Sequence, residues 1–149
     1  MDKIINKNLI KLDIDADTKE YCMKELISLM ESEGRLNDAS CYTEEVLNRE
    51  NLCTTGIGFG IAIPHGKCDA VKVPTVAFGR LNGGIEWQSL DGEPVNMVFL
   101  LAVPKDSESN EHLKILAALS RKLMNEDFRN DLLNIKEEDQ LLTLLETIF

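Results

Sequence analysis

Apolar positions recur at helical spacing through "TKEYCMKELISLMESEG", where Cys22, Leu26, Leu29 and Met30 share one face. Asp17 or Thr18 is placed to cap the start of this helix, and Gly34 to end it. A second helix covers "DASCYTEEVLNREN", with Asp38 as its cap. The period then changes. "IAI" before Pro64 reads as extended, because a residue preceding proline is pushed out of the helical region. "VPTVAFGRL" and "VNMVFLLAVP" read as strands, and the second is apolar throughout, as in a strand covered on both faces. "NGG" at Asn82 to Gly84 and "DG" at Asp91-Gly92 supply the turns. Beyond Pro104, "DSESNEHLKILAALSRKLMN" is strongly amphipathic, with Asp106, Ser107 and Ser109 near its start. "EDFRNDLLN" and "EEDQLLTLLETIF" predict two more helices. Strands flanked by helices predict an α/β sandwich, a central mixed β-sheet with helices on both faces. No repeat or linker divides residues 1–149, so one domain is expected.

Composition narrows the function classes. Sixteen Lys+Arg against 26 Asp+Glu give a net charge of -10, which argues against nucleic acid as a partner, since phosphate neutralisation needs basic surface. The acidic balance suits either simple solubility or docking onto a basic protein face. The N-terminal stretch mixes charged and apolar residues too closely for a signal-peptide core. The longest apolar run, "MVFLLAV", is far short of the roughly 20 residues a membrane helix needs, so a cytoplasmic protein is expected. Cys22, Cys41, Cys53 and Cys68 form no CxxC pair and read as free thiols.

Candidate chemistry centres on "GIGFGIAIPHGK", Gly56 to Lys67. His65 follows the strand-like IAIP and precedes Gly66, which places an imidazole at the carboxyl edge of a sheet, where α/β folds hold ligands. It is either a reactive group or a solvated turn residue. His112, the other histidine, lines up with Leu116, Leu119 and Leu123 on the inward stripe of its helix. There it is a buried structural residue, or a neutral donor that joins the helix N-terminus in holding an anion. Arg49 lies in register with Tyr42 and Val46, so a guanidinium shares an inward face and needs a carboxylate or phosphate partner. Glu50 or another acid is one candidate partner, and a phosphate is the other. Lys67 adds a further cation beside His65, or is simply solvated.

Several familiar constellations fail. "GIGFGI" is not GxGxxG, because Ile61 stands where the third glycine belongs, and Lys67 is not in a GK[ST] context. Nucleotide binding is therefore not expected, and close backbone packing is the simpler role for these glycines. His65-x-x-Cys68 supplies too few ligands for a closed zinc site, so no metal is expected. No cysteine stands in an activating helix-start or glycine-flanked context.

"RENLCTTGIGFGIAIPHGK", "GGIEWQSLDGEPVNMVFLLAVP" and "NEHLKILAALSRKLM" resemble the IIA component of the fructose/mannitol class of the bacterial phosphoenolpyruvate-dependent sugar phosphotransferase system. The resemblance runs through essentially the whole chain, and the wording of the Gly56–Lys67 segment is closer to the fructose type. It implies a phosphocarrier in which His65 takes a phosphoryl group from the phosphohistidine of HPr and passes it to a cysteine of the IIB component. The membrane IIC component would be served only indirectly. His112 and Arg49 match the family's second active-site histidine and its arginine, and no cofactor is implied. A nitrogen-related regulatory IIA homologue, acting through protein contacts, is the alternative. A non-catalytic α/β binding module with structural histidines is the reading from another class.

Overall fold

The structure is a computed structural model that describes residues 4–105 and 111–149, with side chains described from Leu113 onward in the second stretch. After a 3-10 turn at Lys7–Leu9, strand β1 covers Ile10–Ile14. Helix α1 (Lys19–Ser32) starts where the Thr18 hydroxyl accepts from the Tyr21 amide, and ends at Gly34 with φ +70°. Helix α2 (Ala39–Leu52) is capped by Asp38, whose carboxylate accepts from the Cys41 amide. Four strands follow: β2 (Gly56–Gly58), β3 (Ile61–Ala62), β4 (His65–Cys68) and the long β5 (Thr75–Ile85). β6 (Val95–Pro104) completes the sheet, and helices α3 (Glu111–Leu123), α4 (Glu126–Asn134) and α5 (Glu138–Glu146) end the chain.

The sheet is mixed, in the order β1-β5-β6-β3-β2, with β4 also on β6. β1 runs parallel to β5, β5 antiparallel to β6, and both β3 and β4 parallel to β6. Successive residues of a strand point to opposite faces. A Cβ on Gly79 would lie 2.4 Å from Ile14 Cδ1 and 3.0 Å from Leu26 Cδ2, so α1 packs on that face. The adjacent Arg80 donates to the carbonyls of Leu132 (3.0 Å) and Ile135 (2.5 Å), which sets the end of α4 on the other. Helices on both faces explain why Met97 to Val103 in β6 are all buried. α3 buries Leu119 and Leu123 as its spacing predicts, but the third buried residue is Ile115, and Leu116, expected on the inward stripe, is half-buried.

Two details depart from the sequence reading. β1 is hidden by its charges: "IKLDI" buries Ile10 and Ile14 but leaves Asp13 exposed on the rim. Asn82 to Gly84 form no turn. β5 continues through them with a register irregularity between Arg80 and Ile85, and Gly84 admits the Pro94 ring, which a Cβ would meet at 2.8 Å. The turn expected at Asp91-Gly92 is present before β6, and Gly92 there takes φ +76°. The segment 106–110, with Asp106, Ser107 and Ser109, lies outside the described residues.

Candidate active site

His65 does not sit in a turn at the end of a strand. It opens β4, because β3 and β4 are two lengths of chain laid along the same edge of β6, with Ile63-Pro64 between them. Ala62 pairs with Val98 and His65 with Leu101, so the chain resumes pairing at the histidine. Proline brings no N–H to this edge, but its carbonyl accepts from the Leu101 amide at 3.0 Å. Along β4, Gly66 and Cys68 are buried while His65 is half-buried and Lys67 exposed, the alternation a strand imposes. Gly66 faces α2.

That packing brings α2 close. A Cβ on residue 66 would lie 2.8 Å from Val46 Cγ2 and 3.0 Å from Tyr42 Cε1. The Tyr42 hydroxyl crosses to the sheet and donates to the Leu101 carbonyl at 2.5 Å, opposite His65 in the register. Burial keeps this phenol neutral, with a pKa well above its ordinary value. Gly66→Ala is therefore expected to lift α2 from β4 at a cost of about 1–3 kcal/mol, read as a lower urea midpoint. Because Arg49 rides on α2, the same variant is expected to lose activity beyond what its residual stability explains.

His65 Nδ1 lies 3.1 Å from the Ile63 carbonyl oxygen. A carbonyl only accepts, so Nδ1 is the donor in this contact, which in the neutral ring leaves the lone pair on Nε2. His65, Arg49, Lys67 and the 82% exposed Leu52 line one cleft of about 280 Å³ between α2 and β4. Arg49 stands in the last turn of α2, half-buried, and donates Nη1–H to the Cys53 carbonyl at 2.9 Å. Glu50 is not its partner. That carboxylate is buried on the far side of the helix end, among Lys19, Thr55 and Trp87. Among the described residues no carboxylate lies within 4.0 Å of Arg49, although Glu45, one turn earlier in α2, lines the same cleft, so a phosphoryl-sized anion would compete with that acid for the guanidinium. The backbone of α3 begins at Glu111, but the side chain of His112 lies outside the described residues.

The glycines before His65 serve a hairpin. Phe59 (φ +60°) and Gly60 (φ +77°) make the two-residue turn that pairs β2 with β3, in the mirror-image form such hairpins favour. Gly56 admits Ser89, whose Oγ a Cβ would meet at 2.3 Å. Close backbone packing is thus their role.

The mixed α/β sheet thus places a histidine and an arginine in one cleft. Comparison with known families makes this specific: the chain belongs to the EIIA 2 family of the phosphoenolpyruvate-dependent sugar phosphotransferase system, whose model matches residues 3–148. It is 41% identical over 143 residues to the fructose-specific EIIABC component of Bacillus subtilis, matching 96% of this chain and 22% of that longer protein. It is also 41% identical over 140 residues to the fructose-specific EIIA component of Haloferax volcanii, covering 94% of this chain and 90% of that one. Among solved structures, the nitrogen regulatory protein IIA-Ntr of Neisseria meningitidis superposes with a TM-score of 0.88 at 32% identity, covering 95% and 96% of the two chains. No helix among the described residues is long and apolar enough to cross a membrane.

Proposed function

We propose that the chain is a fructose-type phosphocarrier, in which His65 accepts a phosphoryl group from the phosphohistidine of HPr and yields it to a cysteine of a IIB component. The observation that carries this reading is the pairing of His65 with Arg49 in one cleft, with the His65 Nδ1 proton directed at the Ile63 carbonyl. Family membership and the fructose-specific relatives support the same reading.

The chemistry follows from charge. Nε2 attacks phosphorus in line as the P–N bond to the donor imidazole breaks, through a loose transition state that spreads charge over three equatorial oxygens. The His65 ring gains positive charge as its Nε2–P bond forms, and the Ile63 carbonyl stabilises the Nδ1–H that bears part of it. Arg49 donates to the equatorial oxygens, and His112, at the start of α3, is assigned a second donation there. Lys67 adds positive potential at the mouth of the cleft. Transfer onward reverses these steps, with a cysteine thiolate as nucleophile.

The test is reconstitution. The chain is incubated with phosphoenolpyruvate, enzyme I, HPr and a fructose-type IIB, and label is followed from donor to IIB. Onward transfer is the expected result. Labelling of the chain without transfer to IIB would sink the transport reading and leave the regulatory, nitrogen-type role.

A further inference from the structure

We infer that Glu50 is a positioning residue for Arg49, acting through the Cys53–Thr55 segment, with Lys19 neutralising its charge. The inference rests on the reading of Arg49 as a phosphoryl-binding group. Glu50 continues the inward face of α2 after Tyr42 and Val46 and is only 4% exposed. A carboxylate so placed is costly unless every lone pair is used. Here it is fully engaged. Oε2 accepts from the Thr55 amide (2.9 Å) and the Lys19 ammonium (3.5 Å), while Oε1 accepts from the Thr55 hydroxyl and the Trp87 indole N–H (3.2 Å).

These bonds fasten one short piece of chain. α2 ends at Leu52 and Cys53 is already extended, with φ -170°, so the helical repeat no longer fixes the Cys53 carbonyl. Its position depends on the residues that follow. Thr55 is tied to Glu50 by amide and hydroxyl, and the Thr54 hydroxyl donates to the Trp87 carbonyl at 2.9 Å. The Cys53 carbonyl in turn takes the Arg49 Nη1–H. Glu50 therefore holds this segment from the buried side, and Arg49 takes its orientation from the other.

The charge arrangement matters as much as the geometry. A carboxylate beside an arginine would ordinarily pair with it, in a bidentate contact that consumes the guanidinium. Lys19, itself 14% exposed, occupies that acid instead and also donates to the Trp87 carbonyl at 3.4 Å. Arg49 is oriented by a neutral carbonyl rather than paired with Glu50, and it lines the cleft shared with His65 and Glu45.

A double-mutant cycle on the full chain tests it. Glu50→Gln, Arg49→Ala and the double variant are compared for the rate of His65 phosphorylation by phospho-HPr, with kcat and KM separated. Thermal midpoint and fluorescence of Trp87, the sole tryptophan, report the network itself. Glu50→Gln is expected to lower kcat roughly tenfold, the scale on which a misoriented group slows transfer, with KM nearly unchanged. In the Arg49→Ala background the same substitution should slow transfer no further, while still lowering the midpoint and shifting the Trp87 emission. Effects on kcat that multiply, or a Glu50→Gln variant with wild-type kcat, would overturn the inference and leave the role of Arg49 standing. If Arg49→Ala alone transfers at the wild-type rate, the underlying reading fails and the inference with it. Should Glu50→Gln not fold, Thr55→Val, which removes one donor to the intact carboxylate, enters the same cycle with the same expectations.

Discussion

His65→Ala is expected to abolish acid-labile phosphorylation of the chain while leaving it folded. The reaction needs a lone pair on an imidazole nitrogen, and an alanine offers no nucleophile of any kind. Water does not substitute, because a hydrolysed phosphoryl group leaves the chain unlabelled. The structural cost is small by comparison. His65 is half-buried, and its backbone pairing with Leu101 survives the substitution. The ring gives up its hydrogen bond to the Ile63 carbonyl. One such bond contributes about 1 kcal/mol, which in a chain of this size lowers the melting midpoint by about 4 °C or less. Incubation with labelled phosphoenolpyruvate, enzyme I and HPr, followed by acid and alkali treatment, reads the outcome. The chain has only two histidines, so acid-labile label that persists in the variant would point to His112 and reverse the assignment.

How far this site could be read from the sequence differs residue by residue. Helices α1 and α2 were legible nearly to their caps: Asp38 was read directly, and Thr18 was one of the two candidates beside Asp17, both being local signals that tertiary contacts did not override. β6 was legible because seven consecutive apolar residues leave little alternative to a strand buried on both faces. β4 was not. "HGKC" has no strand propensity to speak of, and it is extended because β6 offers it a parallel edge and α2 covers Gly66 and Cys68. The consequence for function is direct. A histidine in a turn would be held loosely, whereas one that opens a strand paired along β6 has its backbone fixed by that edge, and its Nδ1 contact is made to the Ile63 carbonyl.

Arg49 and Glu50 show the other limit. Helical register placed Arg49 on the inward side of α2 and left Glu50 as a candidate partner, whereas it is Glu50 that is buried in line with Tyr42 and Val46 and Arg49 that is half-buried. Which partner each residue takes depends on Lys19 and Trp87, which are 31 and 37 residues from Glu50 in the chain. No periodicity in the sequence encodes that choice. It arises when α1 and the loop after β5 close over the end of α2.

Arg49→Ala is expected to slow phosphoryl transfer to His65 by roughly 10²-fold or more, the loss seen when one preorganised donor to a developing oxyanion is removed. The loss should fall on kcat, since the charge that Arg49 meets is spread over the equatorial oxygens most fully in the transition state. Arg49→Lys is expected to recover only part of it, because an ammonium restores the charge but not the planar fork that meets two oxygens at once. Stability is a separate matter. Arg49 is half-buried and its hydrogen bond goes to a single carbonyl at a helix end, which water can satisfy in the variant. A melting midpoint close to wild type, together with a large fall in kcat, is therefore the outcome that fits. The opposite pattern, a lowered midpoint with kcat intact, would make Arg49 a helix-end residue and no more. The two observables separate cleanly because the carbonyl that orients Arg49 is held by Glu50 and Thr55 whether or not the guanidinium is present.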